Sequence, residues 1–161
     1  MQKDLENPKN LREESNPIVG FSKKNGFEFL SNFYNSSITF EGKLYPSVEH
    51  AYQAAKSLNQ ETRELIRKAE NPNLAKRLGQ SVIVREDWKE EKISIMKDLI
   101  RKKFENPFIR CRLKGTDNRP LINENRWNDR FWGTVGGVGE NWLGKILEEV
   151  RKEILQDDQE E

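Results

Sequence analysis

Residues Tyr45-Pro46-Ser47-Val48-Glu49-His50-Ala51-Tyr52-Gln53-Ala54-Ala55-Lys56 leave the chain little conformational choice. Pro46 stiffens the approach, and Ser47 has the side chain of a helix N-cap. Val48, Ala51, Tyr52 and Ala55 recur at helical spacing and form one apolar stripe. Glu49, Gln53 and Lys56 share another face. A helix from Ser47 to about Leu58 follows. Glu49 falls in its first turn, beside the only histidine, His50. The positive end of the helix dipole favours the ionised carboxylate there. An ionised group suits a base or a cation-stabilising role better than proton donation. Acidic residues are also ordinary helix-start chemistry, so this segment alone leaves both readings open.

The rest of the chain divides around that helix. Residues 1–17 are polar and charged and read as a flexible N-terminal arm; 18–161 read as one domain. Phe27 to Leu30 fits a short strand or turn. Ser37 to Tyr45 alternates and turns at Gly42, as a hairpin does. Glu61 to Glu70 reads as a helix with Leu65, Ile66 and Ala69 inward. Asn71-Pro72 and Asn106-Pro107 each pair an N-cap with a proline at the first helical position. Asp87 caps a long helix from Trp88 to about Phe104. Leu121-Ile122 is a strand candidate, and Asn141 caps the last helix, with a frayed tail from Gln156. The fold class is α+β: a mostly helical single domain with a small β-sheet.

Composition excludes several functions. Among 161 residues, 28 Lys+Arg face 27 Asp+Glu, so net charge argues for neither nucleic acid nor membrane. One cysteine and one histidine leave no multi-cysteine or zinc site, and no metal or cofactor is expected. No apolar run approaches the ~20 residues of a membrane span. The polar N-terminus is unlike a secretory signal, so a cytoplasmic location is expected.

Four segments could carry chemistry. Trp127-Asn128-Asp129-Arg130-Phe131-Trp132-Gly133 sets flat aromatics beside Asp and Asn in a segment without regular pattern. That suits stacking a base and binding sugar hydroxyls, and equally a loop pinned to the core by aromatic anchors. Gly133 to Asn141 has glycines that end at a helix start, where backbone N–H groups can cradle phosphate; a plain flexible loop is the alternative. Arg85 and Trp88 could hold a phosphate and a base, or simply close the end of the core. Arg101 to Arg112 is either a basic patch or a solvated helix face, and Cys111 within it reads as packing.

Taken together, Phe29-Leu30-Ser31-Asn32-Phe33, the Tyr45–Lys56 stretch, Trp88 with Lys92, Met96 and Lys103, Asn128-Asp129-Arg130-Phe131-Trp132-Gly133 and Gly139-Glu140-Asn141-Trp142-Leu143-Gly144 resemble the motifs of the YbiA-like, or NADAR (NAD and ADP-ribose), family. They occur in the family's order from about Val19 to Ile154. The resemblance implies a compact, mostly helical α+β domain that needs no metal. It also implies N-glycosidase activity: hydrolysis of a ribose C1′–N bond in a phosphoribosylamino intermediate of riboflavin synthesis or in ADP-ribosylated guanine. By motif, Glu49 matches the family's catalytic glutamate, Asp129 its pocket aspartate, and Trp88 and Trp132 its pocket aromatics. Asn32, His50, Gly133 and Asn141 belong to the same motifs and are candidate substrate contacts; Lys56 and Arg85 are candidates for phosphate.

The expected partner is a small nucleotide-like substrate, with nucleic acid entering only as an ADP-ribosylated base; oligomeric state has no signature in the sequence. Two departures stand out. Asn123 occupies a position where relatives often carry glutamate, with Glu124 next to it, and Thr116-Asp117 replaces a Thr-Gly turn. The alternative function is a sensor module that binds NAD or ADP-ribose without cleaving it.

Overall fold

The computed structural model describes residues 16–160. The arm expected over 1–17 therefore lies outside the described residues apart from Asn16 and Pro17. Elements run in the order β1 (Ile18–Val19), β2 (Ile38–Phe40), β3 (Lys43–Tyr45), α1 (Val48–Ala55), α2 (Gln60–Arg67), α3 (Pro72–Gly79), α4 (Trp88–Lys103), α5 (Pro107–Lys114), β4 (Leu121–Ile122) and α6 (Trp142–Glu160). The fold is α+β, and the strands form two separate pairs. β2 and β3 make the expected hairpin, with Glu41 and Gly42 both at positive φ, the backbone that matches strand twist in a two-residue turn. β1 pairs in parallel with β4, Ile18 opposite Leu121 and Val19 opposite Ile122.

All eight residues of α1 are buried. The helix packs against α2, α3 and α4 at once, so its polar face is enclosed along with its apolar stripe. Its start is as expected, with the Ser47 side chain accepting from the His50 amide at 3.2 Å. Asn71 and Asn106 likewise cap α3 and α5 through their side chains. The apolar core is continuous from Phe29 and Leu30 through α1, Met96, Leu99 and Ile100 of α4, to Leu143, Ile146 and Leu147 of α6.

Of the strand and the turn expected for Phe27 to Leu30, the turn is the one formed, with Glu28–Leu30 a 3-10 turn. Other local expectations are corrected. Leu65 points outward, since the buried face of α2 runs through Arg63 and Ile66. Asp87 precedes α4 without capping it, because its carboxylate is taken by Arg85, Nε to Oδ1 at 2.6 Å and Nη2 to Oδ2 at 2.8 Å. The tail from Gln156 continues α6 to Glu160. There Asp158 receives Arg110 at 2.8 Å and Lys114 at 2.5 Å. Arg101 is bound by Glu153, and Lys103 is buried. Arg101, Arg110 and Lys114 are thus paired with carboxylates of α6, which breaks up the basic patch.

Candidate active site

The enclosure of α1 places Glu49 in the lining of a cavity of about 1190 Å³. Glu49 is only 7% exposed. Its amide donates to the Asn32 carbonyl at 3.1 Å, so α1 begins against the segment that forms one wall. Its Oε1 accepts from Gln53 Nε2 at 2.8 Å, one turn along the same helix. Burial raises the carboxyl's pKa above the ordinary carboxylate range, while the Gln53 hydrogen bond and the charges of Lys76 and Lys56 pull it down. The helix dipole was expected to keep this group readily ionised; loss of solvent outweighs it. A desolvated carboxylate is a stronger base than a solvated one.

Asp129 lines the same cavity from the loop between β4 and α6. One of its oxygens is structural: Oδ1 accepts from the amides of Phe131 at 3.1 Å and Trp132 at 2.9 Å. The loop is held by Asn125, whose side chain accepts from the Asp129 amide at 3.0 Å and donates to the Asp129 carbonyl at 2.7 Å. Trp132 then docks on α1, its indole Nε1 donating to the Tyr52 hydroxyl at 3.0 Å, with the two rings edge to face at 5.4 Å. This contact fixes the Asp129 loop relative to Glu49.

Asn32, Lys56, Glu49, Asp129 and Trp132 all line the cavity. Lys56 is partly enclosed, which lowers its pKa, and its ammonium lies 5.6 Å from the Tyr52 ring centre. The other candidates stand behind these groups. Trp88 packs on Tyr52 at 5.2 Å between ring centres. His50 is buried, with Nε2 3.1 Å from the Ala69 carbonyl and Nδ1 2.7 Å from Ser47 Oγ. A carbonyl can only accept, so Nε2 carries the proton; burial lowers the ring's pKa and keeps it neutral. The Arg85 guanidinium is turned to Asp87. Gly133 has no room for a side chain, since a Cβ there would lie 2.0 Å from the Asn123 carbonyl oxygen. Asn141 does not cap α6: its Oδ1 accepts from the Asn123 amide and its Nδ2 donates to the Leu121 carbonyl, each at 2.9 Å, stapling the end of β4.

The glycine loop is not an open phosphate cradle. Its Gly136 and Gly137 amides donate to the Glu124 carboxylate at 2.6 and 3.2 Å, and the Thr134 hydroxyl does so too. The anion in that nest is the protein's own, which holds the Glu124 pKa low. Glu124 is thereby committed and does not stand in simply for a glutamate at position 123. Asn123 lines the cavity, its Nδ2 3.4 Å from the Trp132 carbonyl.

Trp127, from the aromatic segment singled out in the sequence, also lines the cavity; Phe33, Tyr52, Gln53 and Lys76 do so without having been named as site residues. Lys76 and Gln80, four apart on and just after α3, also reach the cavity. Their shared face was readable from the helix, but which side of α3 meets the site depends on long-range packing. Among the described residues no group of three or more His, Cys, Asp or Glu could hold a metal ion, and no helix is long and apolar enough to cross a membrane.

The NADAR domain family model matches residues 13–155. The N-glycosidase YbiA of Escherichia coli (strain K12) is 36% identical over 142 residues, covering 85% of this chain and 88% of its own. The N-glycosidase Npun_R5314 of Nostoc punctiforme is 37% identical over 132 residues, 78% of this chain and 84% of its own. The riboflavin biosynthesis protein VVA0006 of Vibrio vulnificus is 37% identical over 86% of this chain, which matches 38% of that longer protein. The solution structure of E. coli YbiA superposes with a TM-score of 0.82 at 34% identity, covering 92% of this chain and 90% of that one.

Proposed function

The chain belongs to the NADAR domain family, and from that premise we propose that it is an N-glycosidase that hydrolyses the C1′–N bond between a phosphorylated ribose and a base. The observation that carries this reading is the buried Glu49 carboxylate in the lining of a large cavity that Asp129 and Trp132 also line.

Breaking a C1′–N bond builds positive charge on the ribose ring, as in glycoside hydrolysis generally. A carboxylate beneath C1′ stabilises that charge and takes a proton from the attacking water. Glu49 fills this role: it is desolvated, basic and oriented by Gln53. Water oxygen bonds to C1′, the C–N electron pair leaves with the base, and the base nitrogen regains a proton. Asp129 has Oδ1 committed to its own loop, so Oδ2 is the atom that meets a ribose hydroxyl. Lys56 and Lys76 line the cavity and offer positive charge to phosphate. Trp132, fixed by Tyr52, presents a flat surface to the base or sugar.

Names of the relatives point to riboflavin intermediates as one substrate branch; ADP-ribosylated guanine is the other we retain. Chromatography of the released base decides between them, with the wild-type protein given the phosphoribosylamino pyrimidine and the ADP-ribosylated guanine nucleoside in parallel. Base release from either supports the activity and identifies the branch. Tight binding of both with no release would favour the sensor reading, for which Asn123 is the specific observation.

A further inference from the structure

We propose that the Tyr52 hydroxyl is the group that protonates the departing base, a second catalytic residue beside Glu49. The proposal rests on the N-glycosidase reading and adds the source of the leaving-group proton.

Tyr52 is buried and lines the cavity. It follows Glu49 by three residues on α1, so the two side chains are neighbours on the helix surface. Its ring is held by Trp88 at 5.2 Å and edge-on by Trp132 at 5.4 Å between ring centres. The hydroxyl is fixed as well, 3.0 Å from Trp132 Nε1. An indole N–H can only donate, so the tyrosine oxygen is the acceptor in that bond and its own proton is left over. Among the described residues this is the one side-chain hydrogen bond at the hydroxyl: Glu49 and Asp129 act on it only through their charge. Burial, and then those two charges, raise the phenol's pKa, so the proton stays on the oxygen throughout the neutral range.

Hydrolysis needs such a proton. In a direct displacement water enters C1′ on the face opposite the departing nitrogen, so the group that takes the water's proton is on the wrong side to protonate the base. A base linked through an exocyclic amine makes the demand strict. The anion of such an amine is far more basic than a phenolate, so a phenol of raised pKa still gives up its proton as the C–N bond opens. The C1′–N electron pair takes the Tyr52 proton, and the base leaves with a new N–H bond. The water oxygen bonds to C1′ and passes a proton to Glu49, which returns it through solvent in the cavity to the Tyr52 oxygen. One water is added across the C–N bond, and both residues are restored. The phenolate formed in between is stabilised by the Trp132 N–H already aimed at it and by the Lys56 ammonium 5.6 Å from the ring centre.

The test is kcat and KM for Tyr52→Phe and Trp132→Phe on whichever substrate the wild type cleaves, with melting curves to control for folding. Both substitutions remove the same indole–hydroxyl bond, but only the first removes the proton donor. Tyr52→Phe should lose about a hundredfold or more in kcat with KM within a few fold of wild type, whereas Trp132→Phe should lose less than about tenfold in kcat and act mainly on KM. Fluorotyrosine incorporated at position 52 keeps the hydroxyl and the shape of the ring and makes the proton easier to give, so kcat should rise. A kcat near wild type in Tyr52→Phe, a loss no larger than that of Trp132→Phe, or a kcat indifferent to fluorination would overturn the proposal. Absence of base release by wild type fails the glycosidase reading and the proposal with it; release by wild type that survives in Tyr52→Phe fails the proton-donor assignment alone.

Discussion

Gln53 Nε2 donates to Glu49 Oε1 across 2.8 Å. The other end of that amide is pressed against α3: a Cβ added at Gly79 would lie 2.0 Å from Gln53 Oε1. The close approach of α1 and α3 therefore sets the orientation of the proposed catalytic carboxylate.

Gly79→Ala tests this coupling. Helix propensity alone would favour alanine by about 1 kcal/mol. Gln53 is buried and cannot yield freely, so overpacking wins and the variant should lose roughly 1–2 kcal/mol of stability. Displacing Gln53 should also lower base release. Denaturant melts and turnover, measured on the same preparation, check both; a more stable, fully active variant would show that Gln53 is not confined.

Asp129 combines a loop role with a site role, and two substitutions separate them. Asp129→Asn keeps an Oδ1 to accept from the Phe131 and Trp132 amides, so its melting temperature should stay close to wild type while turnover or substrate affinity falls. Asp129→Ala leaves both amides without that acceptor and should cost a further ~2 kcal/mol. Equal stability of the two variants would contradict the turn assignment.

Lys103 is 1% exposed, and its ammonium donates to the Ser31 carbonyl at 2.7 Å. Burial brings its pKa down to about 7. Below that value the lysine is charged in both folded and unfolded states, and the fold bears the full desolvation penalty. As pH rises from about 7 towards 10.5, only the unfolded chain still holds the proton, so the contribution of this group to stability improves. Lys103→Met should therefore be stabilising at pH 6, by roughly 2 kcal/mol, with the advantage shrinking by pH 10. Base release should fall, because the segment from Ser31 to Phe33 loses its tie to α4. Melting curves at the two pH values, with the opposite trend as the contradicting result, settle the sign.

Local signals made much of this fold legible. Ser47, Asn71-Pro72 and Asn106-Pro107 mark helix starts with chemistry that acts within one turn, and Glu41-Gly42 marks the hairpin. Glu49 and Asp129 stood out through motif resemblance. What remained hidden depends on pairings far apart in sequence. The parallel match of Ile18 with Leu121 has no local signature. Leu65 lies outside because Arg63 takes the buried position, its Nε bonding the Ser57 carbonyl at 2.5 Å. The Gly136–Gly137 turn offers the amides of an anion site, but Glu124 fills it from a loop a dozen residues earlier. The enclosure of Glu49 follows from three helices packing on α1, which no window of sequence contains.

That enclosure predicts a pH-dependent stability for Glu49→Gln. Burial raises the carboxyl's pKa in the fold, so the folded state binds the proton more tightly than the unfolded chain. Stability is full below the unfolded value and declines as pH rises through the folded one. Glutamine stays neutral throughout. The variant should match wild type in acid and melt higher at neutral pH; a variant less stable at pH 7 than at pH 4, relative to wild type, would show that the site stabilises the ionised form.

The most direct test of the account is base release by Glu49→Gln beside wild type on whichever substrate the wild type cleaves, with substrate affinity measured in parallel. The account predicts a loss of at least about a hundredfold in turnover, affinity within a few fold of wild type, and a wild-type rate that rises with pH through a pKa above the ordinary carboxylate range. Turnover by Glu49→Gln close to the wild-type rate would contradict the assignment of Glu49 as the group that activates water and stabilises the ribosyl cation.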